Sequence, residues 1–205
     1  MTDPRRLGPY LHSGLWHVHT DRTDGAHTVE ELVAFAAERG FPLIGVVEHV
    51  RRDLTYDFDA LRREVRERAS DRGLEWAVGC EAKVLDDDGT LDVATGTRET
   101  ADVVYAAYHG GSFDRDEYVE SVQAMLANPA VDVWAHPFDY ARRAGFELEP
   151  AERAAILEAV GEHDVRFEVN LRRPTTVATL RDGLADLPTV VGYDLHEIDR
   201  WTVGE

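Results

Sequence analysis

The segment from Trp16 to Val50, WHVHTDRTDGAHTVEELVAFAAERGFPLIGVVEHV, restricts the fold more than any other part of the chain. The apolar residues Leu15 to Val18 read as a short strand running into a polar loop, with His17 and His19 at its end. Side chains alternate along a strand, so both imidazoles are expected on one face, with Trp16 and Val18 turned to an outer helix layer. Two histidines on one face at a strand end are a usual start to a metal site. Asp24, in a Thr-Asp-Gly turn, can bring a carboxylate back over the same end. Thr28 and Glu31 make a capping box, and Val29, Leu32, Phe35 and Ala36 give the following helix an apolar face. Arg39-Gly40 ends that helix, with Pro42 just beyond. Leu43 to Val47 has the composition of a buried strand, and His49 lies at its end. This order predicts a βαβ unit carrying a site at its carboxyl edge.

The alternation continues along the chain. Phe58, Leu61, Val65 and Ala69 form a helical stripe. Further strands are predicted over Glu75–Glu81, Val103–Tyr108, Val131–Trp134, Val165–Val169 and Thr189–Tyr193. Helices are predicted through Tyr118, Val122 and Leu126, from Pro150 to Val160, and through Val177, Leu180 and Leu184. Asp86-Asp87-Asp88-Gly89 reads as a hairpin tip between Val84 and Leu91, because it lacks the spacing of a calcium loop. Strands separated by helices imply a parallel sheet, and sites in parallel barrels lie at the carboxyl strand ends. His17, His19, His49, Glu81, His109, His136, Asp194 and His196 all fall at or just past such ends, and Asp24 falls in the first loop. Asp194-Leu195-His196 repeats the spacing of His17-Val18-His19, which turns Tyr193 and Leu195 to the helix layer. One strand-end histidine is usually an ordinary hydrogen-bonded residue. A convergent set of imidazoles and carboxylates differs, because it is costly to bury without a metal. Such mixed donors suit zinc, manganese or iron. Cys80 is expected to face the helices, His12 and His163 are read as structural or exposed, and His27 as lying near the mouth without being a ligand.

The series His-x-His-Thr, Asp-Gly and an acid–His pair after the second strand resembles the PHP (polymerase and histidinol phosphatase) family. The resemblance implies an α/β fold, a distorted seven-stranded TIM-like (β/α)7 barrel, with residues 1–205 as one domain. An eight-unit barrel takes ~250 residues, more than are present here. The resemblance also implies two or three divalent metal ions (Zn, Mn or Fe) and hydrolysis of phosphate esters. By motif, the implied ligands are His17, His19, Asp24, His49, Glu81, His109, His136, Asp194 and His196, with Glu81 of Gly-Cys-Glu bridging two ions. The catalytic assignment falls on Glu81, Asp194 and His196, since ions about 3.5–4 Å apart can share a hydroxide and polarise the ester. Glu48 stands where the family more often has Asp, and is expected to orient its neighbour rather than bind metal.

A phosphate needs cations beyond the metals. Arg172 and Arg173 follow the sixth strand and can grip phosphate oxygens in a bidentate fork. Arg51-Arg52 and Arg142-Arg143 also follow strand ends, but read as solvated. The formal charge of −18, with Lys83 the sole lysine, fits a protein of a halophile's cytoplasm and disfavours nucleic acid. Molar salt shortens the Debye length to about 3 Å, so that exclusion is weak. The single cysteine fits a reducing compartment. No apolar run approaches the ~20 residues of a membrane span, and the first residues lack the apolar core of a signal peptide. Short loops leave little chain for a polymer groove. The expectation is a metal-dependent phosphatase acting on a small phosphomonoester. One alternative is a nuclease or cyclic-phosphate esterase with the same metals. Another is a non-catalytic barrel subunit of a ribonucleoprotein, which need not keep metal ligands.

Overall fold

A computed structural model describes residues 4–173 and 187–201. Its strands are β1 (Leu15–Val18), β2 (Leu43–Val50), β3 (Glu75–Lys83), β4 (Val104–Ala107), β5 (Val133–Trp134), β6 (Arg166–Asn170) and β7 (Thr189–Leu195). They pair in parallel in chain order, and β7 pairs back to β1, so the sheet is a closed barrel of seven strands. The helices are α1 (Pro4–Leu7), α2 (Val29–Glu38), α3 (Phe58–Asp71), α4 (Thr95–Thr100), α5 (Arg115–Leu126), α6 (Asp139–Ala144) and α7 (Pro150–Glu162). The expected TIM-like barrel is therefore the fold.

Local chemistry sets where the helices start. Thr28 and Glu31 form the expected capping box of α2, Asp114 and Glu117 form another on α5, and Asp57 caps α3. Pro150 opens α7 at its first turn. The antiparallel bridge Val84–Leu91 flanks the predicted acidic tip. Helices α4 and α6 were not legible in the sequence: both are short, and neither carries an apolar repeat. The helix predicted through Val177, Leu180 and Leu184 lies outside the described residues. Among the described residues no helix is long and apolar enough to cross a membrane.

Two apolar cores result. The outer one packs the outward strand residues, including Val46, Cys80 and Phe167, against the helices. The inner one fills the barrel with Trp16, Leu43, Val47, Tyr105, Val133 and Val190, closed below by Leu7 with Tyr10 and Leu11. Trp16 corrects one expectation: it faces the barrel interior and not the helix layer, where Val18 and Leu195 do lie. The cause is His17, whose left-handed backbone (φ 61°) interrupts the pleat where the β1 register shifts. Two successive residues thereby point inward. Gly45 on β2 makes room for the indole, since a Cβ there would fall 2.3 Å from the Trp16 ring. The indole N–H donates to Tyr10 O at 2.9 Å, which ties the floor to β1.

Candidate metal centre

The carboxyl ends of the strands bring together all nine residues singled out as ligands. His17 and His19 come from the end of β1, Asp24 from the loop after it, and His49 and Glu81 from β2 and β3. His109 and His136 lie just past β4 and β5, while Asp194 ends β7 and His196 follows it. His17, His19, Glu81, His136 and Asp194 are buried, and His49, His109 and His196 are partly exposed. Like His17, His136 (φ 31°) and Asp194 (φ 49°) adopt left-handed backbones. For a non-glycine residue that costs on the order of 1–3 kcal/mol, and persists only where the surroundings enforce it.

Glu81 is the hub. Its Oε1 lies 3.0 Å from Nε2 of both His109 and His136, and 3.4 Å from His17 Nε2. Its Oε2 lies 3.0 Å from His49 Nδ1 and 3.7 Å from His19 Nε2. Asp24 Oδ2 lies 3.3 Å from Nε2 of both His49 and His196. Asp194 Oδ1 is 3.7 Å from His19 Nε2 and 3.6 Å from His196 Nδ1. Three overlapping groups of donors lie close enough to hold an ion each: His19, Asp24, His49 and His196; His17, His19 and Asp194; His49, Glu81 and His109. Buried polar groups normally find partners. Here His17 Nε2, both His19 ring nitrogens, His49 Nδ1, Glu81 Oε2 and His109 Nε2 are buried without a hydrogen bond. That is the pattern of a site whose ligand is a cation.

The charges are strongly coupled. Burial opposes charge on His17, but Glu168 and Glu81 overrule it and hold its pKa well above the ordinary value. Burial pushes His19 well below the ordinary value, and the nearby imidazoles of His17, His49 and His196 add to it against the pull of Glu81. Burial works to raise Glu81, yet His17, His109 and His136 hold its carboxyl well below the usual range.

The arginines divide. Arg172 Nη1 lies 3.6 Å from Asp194 Oδ2 and 2.8 Å from His196 Nδ1. Arg173 Nε lies 3.4 Å from Asp194 Oδ2. Both therefore border the cluster. Arg51 instead pairs with Asp92, and Arg142 and Arg143 bind Asp139. A pocket of about 120 Å³ opens beside Asp194 and His196, with Leu171, Arg172 and Trp201 in its wall. Among the described residues His27 pairs with Glu31 and His12 bonds Thr189, and neither falls in a metal-type donor group.

Glu48 receives the Thr20 N–H at 2.7 Å together with the Thr20 and Thr23 hydroxyls. It fixes the loop that carries Asp24, and lies 3.9 Å from His19 Nδ1. Two participants escaped the sequence reading. Glu168, buried on β6, bonds His17 and the His136 backbone. Its signal was its place next to Phe167, an outward residue of the same strand, which turns it inward. Asp139 gathers Arg142 and Arg143, and lies 3.8 Å from Arg173 Nη1. Its spacing to the two arginines is i+3 and i+4, but that signals a contact only once α6 is known to be a helix.

Fold and mouth define a parallel barrel with an imidazole–carboxylate cluster of metal-binding type. The chain belongs to the PHP domain family, which it matches over residues 16–171. It is 29% identical over 200 residues to "DNA polymerase/3'-5' exonuclease PolX" of Bacillus subtilis (strain 168), covering 89% of this chain and 34% of that protein. It is 25% identical over 160 residues to "Probable phosphatase YcdX" of Escherichia coli O81 (strain ED1a), covering 75% of this chain and 62% of that one. The chain thus spans about a third and under two thirds of these relatives. Two solved structures share the fold. A chain of archaeal ribonuclease P with mature tRNA has a TM-score of 0.53 at 17% identity, over 82% of this chain and 71% of that one. A two-domain protein of Bacteroides vulgatus, containing a predicted PHP-like metal-dependent phosphoesterase, has a TM-score of 0.52 at 18% identity, over 89% and 51%.

Proposed function

We propose that the chain hydrolyses a small phosphomonoester with the help of divalent ions held by His17, His19, Asp24, His49, Glu81, His109, His136, Asp194 and His196. The observation that carries this reading is the group of buried donor atoms at the mouth without hydrogen-bond partners. Nitrogen and carboxylate donors suit zinc, manganese or iron. Such ions would polarise the ester and lower the pKa of an attacking water.

The chain's own part is placement and charge. Glu81 turns one oxygen to His109 and His136 and the other to His49 and His19, as a carboxylate shared between two ions must. Asp194 and His196 border both the cluster and the pocket, where an ester held there would meet them together with Arg172. Arg172 and Arg173 stand on the same side, where their guanidinium forks can bind phosphate oxygens that metals leave uncovered. The pocket volume of about 120 Å³ suits a compact alcohol group. The formal charge of −18 works against a long polyanion.

A panel of phosphomonoesters and single-stranded oligonucleotides, assayed with manganese or zinc, tests the reading. The expected result is faster turnover of at least one monoester than of any oligonucleotide at equal metal and salt. Oligonucleotide cleavage with no monoester activity would transfer the assignment to a nuclease.

A further inference from the structure

Glu168 is fully buried on β6, and no ligand role falls to it. A buried carboxylate needs partners, and this one is shared by three donors. His17 Nδ1 lies 2.5 Å from Oε1. The His136 backbone N–H donates to Oε2 at 2.6 Å, and Asn170 Nδ2 donates to Oε2 at 3.0 Å. Two of these partners are candidate ligands from opposite parts of the barrel, β1 and the end of β5. Both have left-handed backbones, which persist only where the surroundings enforce them. Glu168 holds His17 by its ring and His136 by its backbone N–H.

The fit is close. Gly192 on β7 faces Glu168, and a Cβ there would fall 1.8 Å from Oε1. Any larger residue would push the carboxylate off His17. With Nδ1 engaged, His17 turns Nε2 into the cluster, 3.4 Å from Glu81 Oε1 and 4.0 Å from Asp194 Oδ1. A metal-binding histidine commonly gives its other N–H to a carboxylate, which fixes the tautomer and the ring. An amide is a poor replacement. It has one acceptor oxygen, whereas Glu168 takes donors at both.

The geometry points to Glu168 as a positioning residue: it fixes His17 with Nδ1 bound and Nε2 presented to the metal cluster, and it pins the His136 backbone, with Gly192 as the notch that admits it. This inference rests on the metal-cluster reading given under the proposed function.

The test is zinc affinity of the folded, metal-stripped chain, measured by competition with a chromophoric chelator. The variants are Glu168→Gln, His17→Ala and the double substitution. Glu168→Gln is expected to weaken zinc by about 10–100-fold. In the His17→Ala background its further effect should be much smaller. If the wild-type chain binds no zinc, the cluster reading itself fails; if His17→Ala leaves zinc binding unchanged, His17 is no ligand and the positioning role fails. If His17→Ala weakens zinc but Glu168→Gln does not, or the two losses multiply in full, the positioning role is overturned and the cluster stands. Should a variant fail to fold, the zinc-loaded wild-type chain still decides. Long-range nitrogen–proton spectra should place the His17 proton on Nδ1, and a proton on Nε2 would overturn the inference.

Discussion

The two ends of the barrel lumen obey different rules. Toward the floor, Leu43, Tyr105, Val133 and Val190 pack with Leu7 in an apolar core that follows regular strand alternation. On β2 the inward series Leu43, Gly45, Val47, His49 runs unbroken from floor to mouth. At the mouth the rule fails at His17 and His136, whose backbones are left-handed and whose preceding residues Trp16 and Ala135 also face inward, and Asp194 is left-handed without leaving the alternation. Each is a residue whose donor atom joins the cluster. The pleat supplies packing and donors such as His49 and Glu81; left-handed residues and the segments past the strand ends supply the others. Stability and chemistry are therefore expected to separate along the barrel axis.

Substitutions at the two ends can break that comparison. The largest effect is expected at the mouth. Glu81→Gln should leave the chain folded and cut phosphoesterase turnover by at least about a hundredfold, beyond the ~10–100-fold typical of residues that only support metal ligands. Turnover at the wild-type rate would remove Glu81 from the bridging position. At the floor, Leu43→Ala should lower unfolding free energy by about 2–5 kcal/mol, because it opens a cavity in a fully buried core. Metal content per folded chain should not change, and a parallel loss of metal would show that the two ends are not separable.

Smaller effects sharpen the boundary. Arg173→Ala should raise KM for a phosphomonoester about tenfold, near the lower range for a hydrogen bond to a charged group. An unchanged KM would assign Arg173 to a pairing role, with Asp194 and Asp139 among its partners. Thr28→Ala, outside the donor set, should cost ~1 kcal/mol through the lost cap of α2 and leave kinetics untouched. Chemical denaturation and steady-state assays check both.

The legible part of the chain was its regular part. The α2 cap, the β2 strand and the order of strands and helices follow from periodicity and capping chemistry. The candidate ligands were legible because they stand at strand ends. Closure into a seven-stranded barrel came from the family resemblance, since nothing in a strand's alternation states how many neighbours it has. Trp16 was misread for a physical reason: a left-handed histidine leaves no mark in the residue pattern, yet it inverts the face of what precedes it. Glu168 was given no role, because its partners His17 and His136 are far away in sequence. Arg172 and Arg173 were expected as phosphate grips, and their pairing with Asp194 needed the barrel to be closed.

The central claim is that the mouth holds more than one divalent ion. Elemental analysis of chain saturated with zinc or manganese and then freed of unbound metal tests it directly, with Glu81→Gln measured alongside. The account predicts at least two ions per wild-type chain and fewer in the variant, because donors surround Glu81 on both of its oxygens. One ion or none in the saturated wild-type chain would contradict it.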